Sequence, residues 1–131
     1  MLYEFRSDCR EGLDYMEKAF HRVLENARAK GLDVACKVIG MRPCAGDVDA
    51  ERQAALTERG MRIVEAVTGA RPEENAGSTD CNIPLSMGIP SVCIGNYRGF
   101  GAHTREEYVE ISSLAEGYRV AFEMVLGGYR L

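Results

Sequence analysis

A histidine lies in a glycine-rich loop in the last third of the chain. The loop reads NYRGFGAHTREEY and follows an apolar run at residues 89–94. In α/β proteins, ligands bind in loops at the carboxyl ends of buried strands. His103 is therefore a candidate metal ligand or general acid or base, and an ordinary loop histidine is the alternative. A zinc site takes three or four protein ligands, and this loop offers one good one.

Two other segments carry groups that can bind an anion or a polar substrate. Arg42 follows an apolar run and directly precedes a proline, and its guanidinium can bind a carboxylate through two parallel hydrogen bonds. The second segment precedes a predicted helix whose first amides can hold an anion. Its residues are Gly77, Ser78, Thr79 and Asp80. The alternative for Arg42 is a solvated or salt-bridged arginine, and the alternative for residues 77–80 is helix capping by Thr79 or Asp80. Ser78 is a poor candidate for a hydrolase nucleophile, because no G-x-S-x-G motif surrounds it.

The first forty residues predict a strand, a helix and a second strand. Residues 2–6 form the first strand, and Asp8 with Glu11 forms a capping box that begins the helix. Apolar side chains recur every three or four residues until Gly31 ends the helix. The β-branched run at residues 34–39 is the second strand. Such a crossover gives two parallel strands.

The rest of the chain predicts three helices and one buried strand. A second helix spans residues 49–68, a short helix lies around residues 82–87, and a strand covered on both faces spans residues 89–94. The last helix begins at Ser112 or Ser113, with a capping box from Ser113 to Glu116. Its predicted buried side chains are Leu114, Tyr118, Ala121, Phe122 and Val125. The predicted fold class is α/β.

Composition and cysteine usage narrow the class of protein. The chain has 131 residues, 46% of them hydrophobic, and a net charge of −4, which argues against nucleic-acid and anionic-membrane surfaces. No apolar run is long enough to span a membrane. The cysteines are odd in number and form no C-x-x-C pair, so we predict reduced structural thiols in the cytoplasm, with Cys36 and Cys93 buried.

Several segments, taken in order, resemble one family. They are GSTDCN at residues 77–82, GIP at 88–90, and GAHT with EYV at 101–109. They resemble the closing motifs of the aminoacylase/carboxypeptidase family of two-zinc exopeptidases and amidohydrolases, and the spelling is closest to the di- and tripeptidase-like branch. Upstream, residues 3–6 resemble the strand with the family's D-x-R motif, with Glu4 in place of Asp. Residues 38–43 resemble the lid strand that ends in R-P.

The resemblance implies a fold and a set of roles. Residues 1–43 would be a strand–helix–strand half of the lid (dimerisation) domain, and residues 44–131 the C-terminal α/β part of the catalytic domain. His103 would be a ligand of one of two zinc ions, and Arg42 would clamp the free carboxylate of a small peptide or N-acyl amino acid. Residues 77–80 would line the substrate pocket. Amide hydrolysis by a metal-activated water is the implied reaction.

Most of the family's metal ligands and its catalytic glutamate have no counterpart in this sequence. The sequence has two histidines and no H-x-D motif. Glu58 and the adjacent pair Glu73 and Glu74 offer carboxylates. The pair does not correspond to the family's Glu-Glu pair, because its position relative to the lid segment differs. We therefore expect a fragment that is inactive alone, binds no zinc tightly and forms a homo-oligomer. The alternatives are a noncatalytic dimerisation or ligand-binding module derived from this fold, and an unrelated α/β protein that binds a small anion.

Overall fold

The structure is a computed structural model that describes residues 1–127. Helices dominate it: α1 (Arg10–Ala29), α2 (Ala50–Thr68), α3 (Asn82–Ser86) and α4 (Leu114–Leu126), the last preceded by a 3₁₀ turn at Ile111–Ser113. The strands β1 (Gly99–Phe100) and β2 (Tyr108–Val109) form a small antiparallel sheet. The fold is therefore a mixture of helix and sheet, and all four predicted helices are confirmed.

The chain divides into two units, and each contains two separate stretches of sequence. Unit 1 consists of Met1–Asp49 and Ala76–Pro90 and carries α1 and α3. Unit 2 consists of Ala50–Asn75 and the chain from Ser91 onward, and carries α2, the sheet and α4. The proposed lid and catalytic parts, residues 1–43 and 44–131, stay a prediction.

The first turn of α1 differs from its predicted capping box. Cys9 is the residue that precedes the helix, and no side chain caps the first turn. The Ser7 hydroxyl instead accepts the Cys9 amide N–H at 3.3 Å. Because Asp8 lies one residue before the N-cap position, the predicted box with Glu11 is wrong.

The other end of α1 follows the sequence closely. Gly31 has a φ of 80°, and its amide donates to the Arg28 carbonyl at 2.9 Å. The next amide, that of Leu32, donates to the Ala27 carbonyl at 3.2 Å. These two bonds form a Schellman motif, which needs a residue free to adopt positive φ. The predicted C-terminal glycine cap is confirmed.

Three apolar runs that the sequence predicts as strands are irregular. They span residues 2–6, 34–39 and 89–94. In the described part of the chain the only sheet pairs Gly99 with Val109 and Phe100 with Tyr108. A strand is stable only when neighbouring strands and a packed face support it, and no described strand pairs with these runs. The predicted parallel pair and the predicted buried strand are therefore wrong.

Few apolar side chains are buried in either unit. Among residues 1–127 the buried hydrophobic residues are Cys44 and Val120, each 3% exposed. Cys36 and Cys93, predicted to be buried, are exposed. In unit 1 the rings of Tyr3 and Phe5 lie against Phe20, with centroids 5.3 and 6.1 Å away. Many large apolar side chains among residues 1–127 are exposed instead, for example Met41 at 83% and Ile111 at 82%.

In unit 2, α4 turns a different face inward from the one predicted. The buried positions are Ser113, Gly117 and Val120. The predicted core stripe is exposed instead, at 46% for Leu114, 69% for Tyr118, 50% for Phe122 and 65% for Val125. Ala121 is also exposed.

Two backbone requirements select this face of α4. A Cβ at position 117 would overlap the carbonyl group of Asn96, so the loop before β1 can approach the helix only at a glycine. The Ser113 hydroxyl accepts the Arg98 amide at 2.8 Å and donates to the Glu110 carbonyl at 2.7 Å. Since no side chain caps the first turn of α4, the predicted Ser113–Glu116 box is wrong.

We predict that Gly117→Ala destabilises unit 2 by about 1–3 kcal/mol, because the added methyl must displace the backbone at Asn96. Gly60→Ala in α2 is the matched control, since its Cβ meets only the Ile94 side-chain end at 2.8 Å. That tip can rotate, and alanine gains helix propensity over glycine. Urea unfolding of the wild type, Gly117→Ala and Gly60→Ala measures the change in the free energy of unfolding for each variant. Equal losses for the two variants would contradict the close approach at Gly117.

Candidate functional site

Unit 1 brings together two of the segments that the sequence singles out. Nη1 of Arg42 donates to the Ser78 carbonyl at 3.0 Å and to the Ser78 hydroxyl at 3.4 Å. Nη2 of the same guanidinium lies 3.6 Å from Oδ1 of Asp80. Arg42 and the loop of residues 77–80 thus lie together on the surface of unit 1, although 36 residues separate Arg42 from Ser78. We call this the Arg42 corner.

The charges at the Arg42 corner remain accessible. The Arg42 side chain is 46% exposed and the Asp80 carboxylate 98% exposed. An ion pair so exposed contributes little to stability because water and salt screen it. An external carboxylate can therefore replace Asp80 at a small cost in free energy. It can pair with the Arg42 guanidinium through two parallel hydrogen bonds, which is the stronger geometry.

The amides of the loop are engaged within the chain. The Thr79 N–H donates to Oδ1 of Asn82 at 2.9 Å, and the Cys81 N–H to the Thr79 hydroxyl at 3.3 Å. The amides of Asn82 and Ile83 donate to the carbonyls of Thr79 and Asp80. Since α3 has five residues and these amides are occupied, the arginine is the better anion-binding group of this corner. Gly77 lies in the same loop, where an added Cβ would make only ordinary contact with Thr79, at 3.8 Å.

His103 belongs to unit 2, in the turn that joins β1 to β2. Its φ of 66° is the only positive value among the described non-glycine residues. Its amide donates to Oε2 of Glu107 at 3.2 Å, and the Thr104 hydroxyl donates to the Gly101 carbonyl at 2.7 Å. Histidine in the left-handed region is uncommon, and such backbone strain is concentrated at functional sites. The turn presents residue 103 on the surface.

Carboxylates that could serve a metal are committed elsewhere or isolated. Glu58 pairs with Arg62 at 2.7 Å and with Arg71 at 2.6 Å, and hydrogen bonds from these two groups hold the Glu58 pKa below its ordinary 4.5. Within residues 1–127 no three His, Cys, Asp or Glu side chains are grouped so as to hold a metal ion. His103 is therefore not part of such a group among the described residues.

Comparisons with known proteins add no relative. The chain matches no protein-family model, no curated protein and no solved structure. None of the helices in the described residues is long and apolar enough to cross a membrane.

Sequence reasoning overlooks two side chains that organise these segments. Asn82 contacts Thr79 and Pro43, and Glu107 accepts the His103 amide. The sequence carries a signal for Asn82, because it lies three residues after Thr79, the spacing at which a side chain of a capping box accepts the N–H of the threonine. Its second contact joins positions 39 residues apart, which no local pattern reveals.

Zinc titration by calorimetry tests the ligand count at His103. We expect weak binding to the free chain, because one imidazole leaves most of a zinc ion's coordination to water. The matched variant is His103→Gly, since glycine adopts a φ of 66° without strain and removes only the imidazole. Tight stoichiometric binding that the variant abolishes would mean that the chain builds a complete metal site.

Proposed function

We propose that this chain is the C-terminal portion of a two-zinc peptidase or amidohydrolase that hydrolyses an amide bond in a small peptide or N-acyl amino acid. The contact of Arg42 with Ser78 carries the proposal. It joins the R-P segment to the GSTDCN segment, and both resemble substrate-contacting motifs of one family.

The chain's own residues have distinct tasks in this proposal. Arg42 binds the free carboxylate of the substrate and gives up its contact with Asp80, while the Ser78 carbonyl keeps the guanidinium in place. His103 supplies one ligand to the metal centre. When bound, the two zinc ions would lower the pKa of a water molecule and polarise the scissile carbonyl. Another polypeptide segment supplies the remaining ligands and the catalytic carboxylate.

The small cores of the two units support this incompleteness. The accessible surface of the chain is 10798 Å². Two separate compact domains, each with half of its mass, would together expose about 8,300 Å². The excess, roughly 2,500 Å², exceeds the area of about 800 Å² that one partner buries in an interface of standard size. We propose that a partner surface, in the free chain a second copy, covers part of this area.

The state of the thiols supports a cytoplasmic location. All five cysteines are free, and Cys9, Cys36 and Cys93 are exposed. Exposed thiols remain reduced in the cytosol, whereas oxidising compartments convert them to disulfides. We propose the cytoplasm on this ground.

Binding of a carboxylate probe tests the Arg42 corner. We predict that N-acetylalanine, followed by NMR titration, binds the wild-type chain more tightly than its uncharged amide does. In Arg42→Gln this preference falls by about ten-fold, because a hydrogen bond to a charged group contributes about 1.5 kcal/mol. Arg22→Gln, on the exposed surface of α1, is the matched control and retains the preference. Equal binding of acid and amide to the wild type would contradict the proposal.

The exposed apolar surface predicts self-association of the free chain. Light scattering after size exclusion should give a mass near twice that of one chain at micromolar concentration. The expected contacts involve the unpaired run at residues 34–39, where Val38 is 70% and Ile39 74% exposed. Charges on this run, as in Val38→Lys with Ile39→Glu, should return the chain to a monomer. A wild-type monomer over the whole concentration range would count against the covered surface.

A further inference from the structure

The side chain of Asn82 bridges the two backbone segments that form the Arg42 corner. Its Oδ1 accepts the Thr79 N–H at 2.9 Å, and its Nδ2 donates to the Pro43 carbonyl at 2.9 Å. Thr79 is the residue after Ser78, and Pro43 is the residue after Arg42. One carboxamide therefore connects the neighbours of the two residues that make the Arg42–Ser78 contact.

Several further bonds hold Asn82 in this position. It is the first residue of α3, and its amide donates to the Thr79 carbonyl at 3.0 Å. The chain beyond Pro43 also runs along α3, where the Gly46 amide donates to the Leu85 carbonyl at 3.0 Å. Asn82 is partly buried, so water competes less for its two bonds than for those of the exposed arginine.

Only a short side chain with one acceptor and one donor satisfies both neighbours. Aspartate offers the acceptor for Thr79 but has no donor for the Pro43 carbonyl. Alanine offers neither group, and glutamine places its amide one methylene farther from the backbone. The position is therefore chemically specific for asparagine.

Arg42 needs such support because its own contacts are weak restraints. An arginine side chain loses substantial rotamer entropy when it is held in one geometry. The Arg42 contact with Ser78 lies on an exposed surface, where a single hydrogen bond does not fully offset that loss. Asn82 fixes the distance between Pro43 and Thr79 and so keeps the Ser78 carbonyl within hydrogen-bonding distance of Arg42. The Arg42 side chain is then already restricted, and it loses less conformational entropy when it binds a carboxylate.

We infer that Asn82 is a positioning residue that aims the Arg42 guanidinium for carboxylate binding. This inference rests on the proposed function in one respect, that Arg42 binds the substrate carboxylate. Asn82 itself touches neither substrate nor metal in this role. Its effect passes through the Pro43 carbonyl on one side and the Thr79 amide on the other.

Titrations of Asn82→Asp and Asn82→Ala with N-acetylalanine and its amide test this role. Both variants lose the Pro43 bond. Asn82→Asp keeps the Thr79 bond but adds a negative charge that repels the acid, whereas Asn82→Ala adds no charge. Weaker binding in both variants therefore cannot come from electrostatic repulsion alone. We expect at least about five-fold weaker binding of the acid in both variants, because both lose the Pro43 bond and one hydrogen bond of about 1 kcal/mol corresponds to that factor. Weak binding of the amide should not change.

Ser86→Ala is the matched control within α3. The Ser86 hydroxyl donates to the Ile83 carbonyl at 2.7 Å, another contact of a side chain with the backbone, and no contact joins it to Arg42. This variant should bind the acid like the wild type. Equal weakening in Ser86→Ala and Asn82→Ala would show that disturbance of α3 alone accounts for the effect and would overturn the inference.

A second readout does not depend on the probe. Phenylglyoxal modifies exposed guanidinium groups, and peptide mass spectrometry reports each arginine separately. Arg42 should react several-fold faster in both Asn82 variants than in the wild type, relative to Arg22 on α1. Unchanged Arg42 reactivity in both variants would overturn the inference, whatever the result of the binding experiment. If the wild type does not prefer the acid to the amide, that result alone refutes the proposed function.

Discussion

Hydrogen bonds from side chains to distant backbone groups fix the irregular segments of both units. In unit 2, Gln53 donates to the Ser91 carbonyl at 3.0 Å and accepts the Ser91 amide at 2.9 Å, as a neighbouring strand would. Arg59 donates to the Met124 carbonyl at 2.7 Å and so joins α2 to α4. Asn82 performs the same task in unit 1. Because so few apolar side chains are buried, the geometry of each segment depends on these contacts.

This dependence explains which features can be predicted from the sequence. The C-terminal end of α1 was predictable because it has a local cause, since Gly31 adopts the positive φ that its position requires. The predicted capping boxes at the starts of α1 and α4 were wrong. The predicted strands failed because a strand needs a partner, which local composition cannot supply. α4 offered two possible inward faces, and apolarity favoured the one with Tyr118. The close approach of Asn96 to Gly117 selected the other.

The candidate site shows the same limit. Arg42, Ser78 and His103 could be selected individually, because arginine before proline, a small polar loop and a glycine-rich turn are local signals. The pairing of Arg42 with Ser78 spans 36 residues, and the Asn82 side chain bridges their neighbours Pro43 and Thr79. The left-handed backbone of His103 was likewise not predictable, since it depends on the turn between β1 and β2.

In the proposed function, carboxylate recognition and amide hydrolysis depend on different groups. The Arg42 corner lies within unit 1, and its bonds all come from residues of that unit. Under this proposal, recognition of a free carboxylate requires neither a metal nor His103. Hydrolysis needs a ligand set that the described residues do not complete. Under the proposal, we expect the isolated chain to bind the acid and to leave the amide bond intact, because the carboxylate contacts come from unit 1 and the remaining metal ligands from another polypeptide segment.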